Sequence, residues 1–182
     1  IMLKAKELQL DLPKESPETR KILSEIQRLE NEGYQFEAAE ASFELLVQKL
    51  LGKYKPFFEV KKAAVRAENI GDEKPTSVAE VKLVAKGKEE FVAAEGDGPV
   101  NALDSALRQA LRSFYPVIDQ IHLTDYKVRV VNSEAGTAAK VRVFIEFQDK
   151  DKTWTTVGVH ENIIEASWRA LVEAIEYKLW KG

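Results

Sequence analysis

The sequence contains no cysteine. Disulfides, thiolate metal sites and cysteine nucleophiles are thereby excluded, and a reducing, cytoplasmic setting is the default expectation. Histidine is nearly as scarce, with His122 and His160 the only two. Neither stands among carboxylates at ligand spacing, so both read as exposed or strand-edge residues and no metal site is expected. There is no G-x-S-x-G elbow and no Walker loop. Gly96 and Gly98 do not open a dinucleotide G-x-G-x-x-G fingerprint, because Asn101 stands at the last glycine position. No apolar run approaches the roughly 18 residues of a membrane span. The opening "IMLKAKELQLDL" carries charge where a signal peptide would be apolar, and it reads like the interior of a longer chain. The net charge of -3, with both signs interspersed, provides no basic field for nucleic acid. These absences favour a binding or assembly module over a catalytic one.

What is present is ample core material. Hydrophobic residues make up 45% of the 182 positions and charged residues 31%. That suffices for one ample domain or a domain with a small appendage. Residues 1–54 read as helical. Ser16 is a good N-cap and Pro17 suits the first helical position, with Ile22, Leu23, Ile26 and Leu29 following at helical spacing. Gly33 breaks the pattern, and a second helix is expected from about Phe36 to Leu51, with Phe36, Ala39, Phe43, Leu46 and Leu50 on one stripe. Gly52 and Pro56 end it.

After Phe57 the period changes to two. Residues 78–86 put Ala79, Val81, Leu83 and Ala85 on one face, residues 86–88 make a tight turn, and residues 89–95 return. A helix after Pro99 carries Leu103, Leu107, Ala110, Leu111 and Phe114. The order then recurs: a strand at 125–133, a strand at 138–148, a turn at 149–152, a returning strand at 153–160 and a helix from about Ile163. That helix carries Trp168, Leu171, Val172, Ile175 and Leu179. Val65-Arg66 matches Val128-Arg129, and Ala102, Ala106, Leu107 and Ala110 match Ala166, Ala170, Leu171 and Ala174 at a constant offset of 64. The unit is strand-strand-strand-helix, present twice. The expected class is α+β. A small helical subdomain (1–54) precedes a domain of two β-β-β-α repeats (57–182, divided as 57–116 and 118–182), each three-stranded antiparallel sheet having its helix on one face.

"EGDGPVNA" (95–102) is the best candidate site. Gly96 and Gly98 allow a turn that aims N–H groups outward, and Pro99 begins a helix whose positive end favours an anion such as a carboxylate. A plain strand-to-helix turn explains the same residues. At the equivalent place in the second repeat Asn162 can cap, with Glu165 three residues later as in a capping box. In residues 122–130, Asp125 could receive an ammonium group and Tyr126 could wall a pocket; an ordinary strand start is the alternative. Gly136, Thr137, Ala138 and Ala139 are small residues where a ligand, a partner or another backbone could approach closely.

Taken together, "GYQFEAAEASFELL" (33–46), "GDGPVNALDSAL" (96–107), "LTDYKVRV" (123–130), "GTAAKVRVFIEF" (136–147) and "WTTVGVHENIIEASWRALVEAIEYKL" (154–179) resemble the C-terminal part of the 2-isopropylmalate synthase and citramalate synthase family. The first and last of these look most like the citramalate synthase branch. The resemblance implies a parent acyltransferase whose catalytic barrel condenses acetyl-CoA with a 2-oxo acid. This chain has neither the barrel nor its metal-binding motif and is expected to be inactive alone. Acetyl-CoA and a divalent metal belong to the missing catalytic domain, and no cofactor is expected in this chain.

What the chain resembles is a helical linker plus a regulatory domain that forms a homodimer and binds the end-product amino acid. That effector is isoleucine in the citramalate branch and leucine in the other. The resemblance carries an effector pocket onto Gly96, Asp97, Gly98, Pro99 and Val100; onto Leu123, Asp125, Tyr126 and Val130; onto Gly136, Thr137, Ala138 and Ala139; and onto Asn162 and Ile163. The implied role is feedback inhibition of a soluble biosynthetic enzyme, with no nucleic-acid or membrane partner. A module that dimerises without binding an effector is the alternative.

Overall fold

The computed structural model describes residues 16–69, 71 and 74–182. The helical character expected for residues 1–15 lies outside the described residues. In chain order the elements are α1 (Pro17–Asn31), a 3-10 turn (Phe36–Ala38), α2 (Glu40–Leu50), β1 (Phe58–Glu68), β2 (Thr76–Ala85), β3 (Lys88–Gly96), α3 (Pro99–Arg112), β4 (His122–Val130), a 3-10 turn (Ser133–Ala138), β5 (Val141–Gln148), β6 (Thr153–His160) and α4 (Ile163–Lys181). A further 3-10 turn, Pro116–Gln120, precedes β4. The sheets have the orders β1-β2-β3 and β4-β5-β6. This is the expected α+β fold with a duplicated β-β-β-α unit. No helix among the described residues is long and apolar enough to cross a membrane.

The chain forms two compact units. One holds residues 56–122 with 149–151 and 178–182. In it, the alternation of β2 sends Ala79, Val81, Leu83 and Ala85 inward, all at most 1% exposed. They meet a seam on α3 made of Ala102, Leu103, Ala106, Leu107, Ala110 and Leu111. The β2–β3 hairpin turns through Lys86 and Gly87, both at positive φ (49° and 75°), as a two-residue hairpin of matching twist requires. Past α3, the Arg108 guanidinium grips Asp104 at 2.9 Å. It also donates to the carbonyls of Ile118 (3.1 Å) and Ile121 (3.0 Å), fixing the exit of the helix.

The other unit holds the helical segment together with residues 123–148 and 152–177. Ser16 Oγ caps α1 by accepting from the Thr19 N–H at 3.1 Å, as anticipated. The second helix differs from expectation. Phe36–Ala38 is a 3-10 turn, and the α-helix begins only at Glu40, after Ala39 (φ -140°, ψ 69°) breaks the backbone. The break brings Phe36 edge-on to Phe43 (6.2 Å) and stacks Tyr34 on Phe36 (5.7 Å), so packing overrides local helix preference.

Strand β6 is covered on both faces. Trp154 Nε1 donates to the Ala174 carbonyl (3.1 Å), and Thr156 Oγ1 donates to that of Ala170 (2.8 Å), both on α4. Val157 and Val159 point the other way. They join Ile22, Ile26, Phe36, Ala39, Phe43 and Val47 in one buried cluster.

The strands and last helix refine the sequence reading. β4 runs from His122 to Val130 instead of 125–133, and β5 starts at Val141 instead of 138, because residues 133–138 coil into a 3-10 turn. Of the expected α4 stripe only Leu171 and Ile175 are buried; the rest of the seam is Ala166, Ser167, Ala170 and Ala174. Small residues win because α4 lies close on β6. Phe114 falls beyond the end of α3.

A Cβ built on Gly158 would lie 1.9 Å from the Ala166 carbonyl oxygen, a backbone atom that cannot swing aside. Gly158→Ala is therefore expected to destabilise the chain by about 1–3 kcal/mol or more, read as a lower denaturation midpoint, because overpacking a rigid contact moves the helix.

Candidate functional site

The glycine turn links β3 to α3, and its two glycines have different reasons to be there. A Cβ on Gly96 would sit 2.4 Å from the Ala102 nitrogen and 2.7 Å from its Cα, so the first turn of α3 comes too close for any side chain. Gly98 is extended (φ -162°, ψ 170°), a conformation open to every residue, and nothing lies within 4 Å of its Cβ position. The conformational freedom expected of this pair is therefore unused. Gly98 is the N-cap without a side chain to offer, and Asn101 Oδ1 reaches back to accept from the Asp97 N–H at 3.1 Å. Pro99 carries no N–H, which leaves the amides of Val100 and Asn101 at the positive end of α3. The Asp97 carboxylate is exposed and paired with Lys74 Nζ at 2.6 Å, whose hydrogen bond and charge lower its pKa.

The other predicted residues lie in the second repeat, in the other unit. Asp125 pairs with Lys127 and accepts from the Tyr126 N–H at 2.9 Å; these contacts lower its pKa, the Lys127 hydrogen bond most. The Tyr126 hydroxyl meets Ser167 Oγ at 2.8 Å, and Ser167 donates to the Ile163 carbonyl at 2.7 Å. Strand β4 and the first turn of α4 are thus tied together. Asn162 caps α4 by accepting from the N–H groups of Ile164 (2.8 Å) and Glu165 (3.4 Å). The expected capping box does not close. Glu165 turns to Arg169 (2.7 Å), while the Asn162 N–H is taken by His160 Nδ1 at 2.9 Å.

Gly136 adopts φ 58° and ψ -130° within the 3-10 turn, and Thr137 and Ala138 are exposed while Ala139 is buried. Asn132 Oδ1 fastens this turn by accepting from the Lys140 N–H at 2.6 Å. Leu123, Val130 and Ile163 are 40%, 58% and 43% exposed; along β4 Leu123 and Asp125 alternate to the face opposite Tyr126 and Val130, so the strand does not bring all of these side chains together.

Two features went unread in the sequence. Ser167 is one; its signal was a lone hydroxyl in the alanine seam of α4. The other is a polar row that joins α2 to β6 and α4. Glu40 Oε1 accepts from the Thr155 N–H (2.8 Å). Ser42 Oγ accepts from the Val157 N–H (2.9 Å) and donates to Glu173. Glu44 accepts from the Tyr177 hydroxyl (2.9 Å), and Lys49 pairs with Glu176 (2.9 Å). These partners are over a hundred residues apart, so no local pattern carries them. Burial pushes the Glu173 carboxyl up to about 7 and Tyr177 well above the usual phenol range.

Residues 37–179 match the family model described as the LeuA allosteric (dimerisation) domain. The chain is 50% identical over 183 residues to the (R)-citramalate synthase of Geobacter sulfurreducens, covering 100% of this chain and 35% of that protein. It is 50% identical over 182 residues to that of Aquifex aeolicus (100% and 34%), and 48% identical over 183 residues to that of Synechocystis sp. (98% and 34%). It therefore spans about a third of the length of these curated relatives.

Gly98→Ala is expected to leave the denaturation midpoint nearly unchanged, whereas Gly96→Ala lowers it, since only the second Cβ meets backbone. Glu173 generates a pH dependence as well. Its folded pKa of about 7 exceeds the ordinary carboxyl value of 4.5, so the folded state holds a proton that the unfolded state releases. Its contribution is complete below about pH 4.5 and is lost as pH rises to 7, roughly 1–3 kcal/mol in all. Urea titrations across that window should show Glu173→Gln with a flatter profile than the parent.

Proposed function

The chain belongs to the family of LeuA allosteric (dimerisation) domains, and from that premise we propose that it is the effector-binding part of a citramalate synthase, taking isoleucine as its ligand and pairing with a second copy. The observation that carries this reading is the identity of about half the residues along the whole chain to proteins named (R)-citramalate synthase. In this reading the enzyme condenses an acetyl group with a 2-oxo acid on the pathway to isoleucine, and isoleucine bound to this chain inhibits it.

The chemistry of the second repeat supports the choice of ligand. Asp125 supplies a carboxylate for the ammonium group, in competition with Lys127. With the Ile164 and Glu165 amides held by Asn162, the Ile163 N–H at the positive end of α4 and the small-residue turn Gly136–Ala139 are the proposed partners of the carboxylate. Tyr126, Val130 and Ile163 offer aliphatic and aromatic surface for a butyl side chain, whose burial is worth roughly 2–3 kcal/mol, while Leu123 adds aliphatic surface on the opposite face of β4. In the first repeat, the start of α3 at Gly96–Val100 presents the same anion-favouring amides, and these residues are proposed as effector contacts too.

The helical segment supports an inhibitory role. Residues 16–50 share a compact unit with the second repeat, and the polar row from Glu40 to Lys49 holds them to β6 and α4. A ligand that favours one arrangement of that unit by about 1–3 kcal/mol is enough for allosteric control.

Calorimetric titration with isoleucine, leucine and valine tests the reading. Isoleucine is expected to bind most tightly, and Ile163→Ala to weaken it by about fivefold or more, the loss of roughly 1 kcal/mol of apolar burial. Leucine ranking first would move the reading to the isopropylmalate branch. No heat from any of the three at millimolar concentration overturns effector binding, and light scattering at twice the chain mass is the result expected for the dimer.

A further inference from the structure

β1 is an edge strand of unusual openness. It pairs with β2 along its length, and among the described residues no strand pairs with its other side. Helix α3 covers β1 only in part, leaving residues 61–64 and 66–68 exposed. Val81 and Ala79 on β2 are fully buried, but their cross-strand neighbours Ala63 and Val65 on β1 are exposed and half-buried. Ala64, Arg66, Ala67 and Glu68 are exposed as well, and a groove of about 530 Å³ runs between Ala64, Arg66, Val78 and Glu80. A bulge between Val60 and Lys62 interrupts the strand near its start; from Lys62 to Glu68 the register is regular. A long, regular, alanine-rich edge with unpaired backbone groups is a template for another strand.

The charges on that edge select the occupant. Two copies related by a two-fold axis can join β1 to β1 antiparallel, with both α3 helices on the same side, only if each residue faces one pointing the same way. Centring the axis on Ala64 sets Lys62 against the partner's Arg66, and centring it on Arg66 sets two guanidinium groups face to face. Centring it on Val65 sets Lys62 against the partner's Glu68, twice by symmetry, and Ala63 against the partner's Ala67. Opposite charges directly across strands stabilise a pair, and like charges disfavour it. The existing partners of these groups, Lys62 with Glu80 and Arg66 with Glu68, are exposed pairs of little strength.

We propose that β1 is the self-associating edge of this chain: two copies pair antiparallel through β1 about a two-fold axis at Val65, making one six-stranded sheet. The inference rests on the dimer reading above and adds its surface and register.

The absence of cysteine makes the test direct. Opposed Cα atoms in an antiparallel pair are about 4.5–5.5 Å apart, inside the reach of a disulfide. Under mild oxidation Val65→Cys is expected to become mostly covalent dimer. Ala63→Cys and Ala67→Cys should each stay mostly monomeric on a denaturing gel, yet cross-link with each other when mixed. In a second arm, Lys62→Glu mixed with Glu68→Lys should form heterodimers at least severalfold in excess over either homodimer. A chain that is monomeric by light scattering overturns the dimer reading and this inference together. A chain that is dimeric but shows neither the cross-linking pattern nor the heterodimer preference overturns only the β1 register.

Discussion

In both repeats a glycine of the last strand lies beneath the same alanine of the following helix, and the rest of each unit is arranged around that contact. Gly96 underlies Ala102 and Gly158 underlies Ala166, with no room for a Cβ at either place. The two alanines are equivalent positions of the repeat, although the glycines are offset by two residues relative to them. Once the helix start is pressed onto the sheet, residues facing the strands must be small. Ala102, Ala106 and Ala110 on α3, and Ala166, Ala170 and Ala174 on α4, meet that demand and are fully buried. The close approach also brings the carbonyls of α4 within reach of Thr156 and Trp154, so polar side chains in β6 are satisfied without water.

The repeats diverge on the faces their own helices leave open. In the second, Val157 and Val159 meet Ile22, Ile26 and Phe43 of the helical segment, and Arg142 Nη1 reaches Gln35 at 3.0 Å. In the first, the corresponding face of the equivalent strand β3 leaves Phe91 55% exposed, opposite Lys82 of β2. One duplicated sequence has thus acquired two environments, a sheet with both faces covered and a sheet with one. A strand covered on both faces loses the alternation of buried and exposed residues, and β6 has lost it while its counterpart β3 keeps it.

Residues proposed to contact the effector also hold the fold together. Asn162, Tyr126 and Ser167 hold the start of α4 to β4. Leu123, Val130 and Ile163 of the same two elements keep aliphatic surface exposed, which is costly in water and is relieved when something apolar covers it. Glu173 and Tyr177 add titratable groups where α2 meets α4, displaced from their ordinary ranges by the burial that packs those helices together.

The duplicated strand-strand-strand-helix order, the buried face of β2, the turn at Lys86-Gly87 and the caps at Ser16 and Asn162 were all legible by period, spacing and residue type. Each rests on contacts within a few residues or on the alternation of one element, which linear sequence records directly. The family was legible too, because long motifs are preserved in order. Tertiary structure alone decided the 3-10 turn at Phe36, the small-residue seam of α4, and the meeting of Ser42 with Glu173. It also reassigned the glycine pair, making Gly96 a steric necessity and leaving Gly98 free of one. Those outcomes depend on which surface another part of the chain presents at van der Waals distance. Spacing along the chain carries no record of that distance.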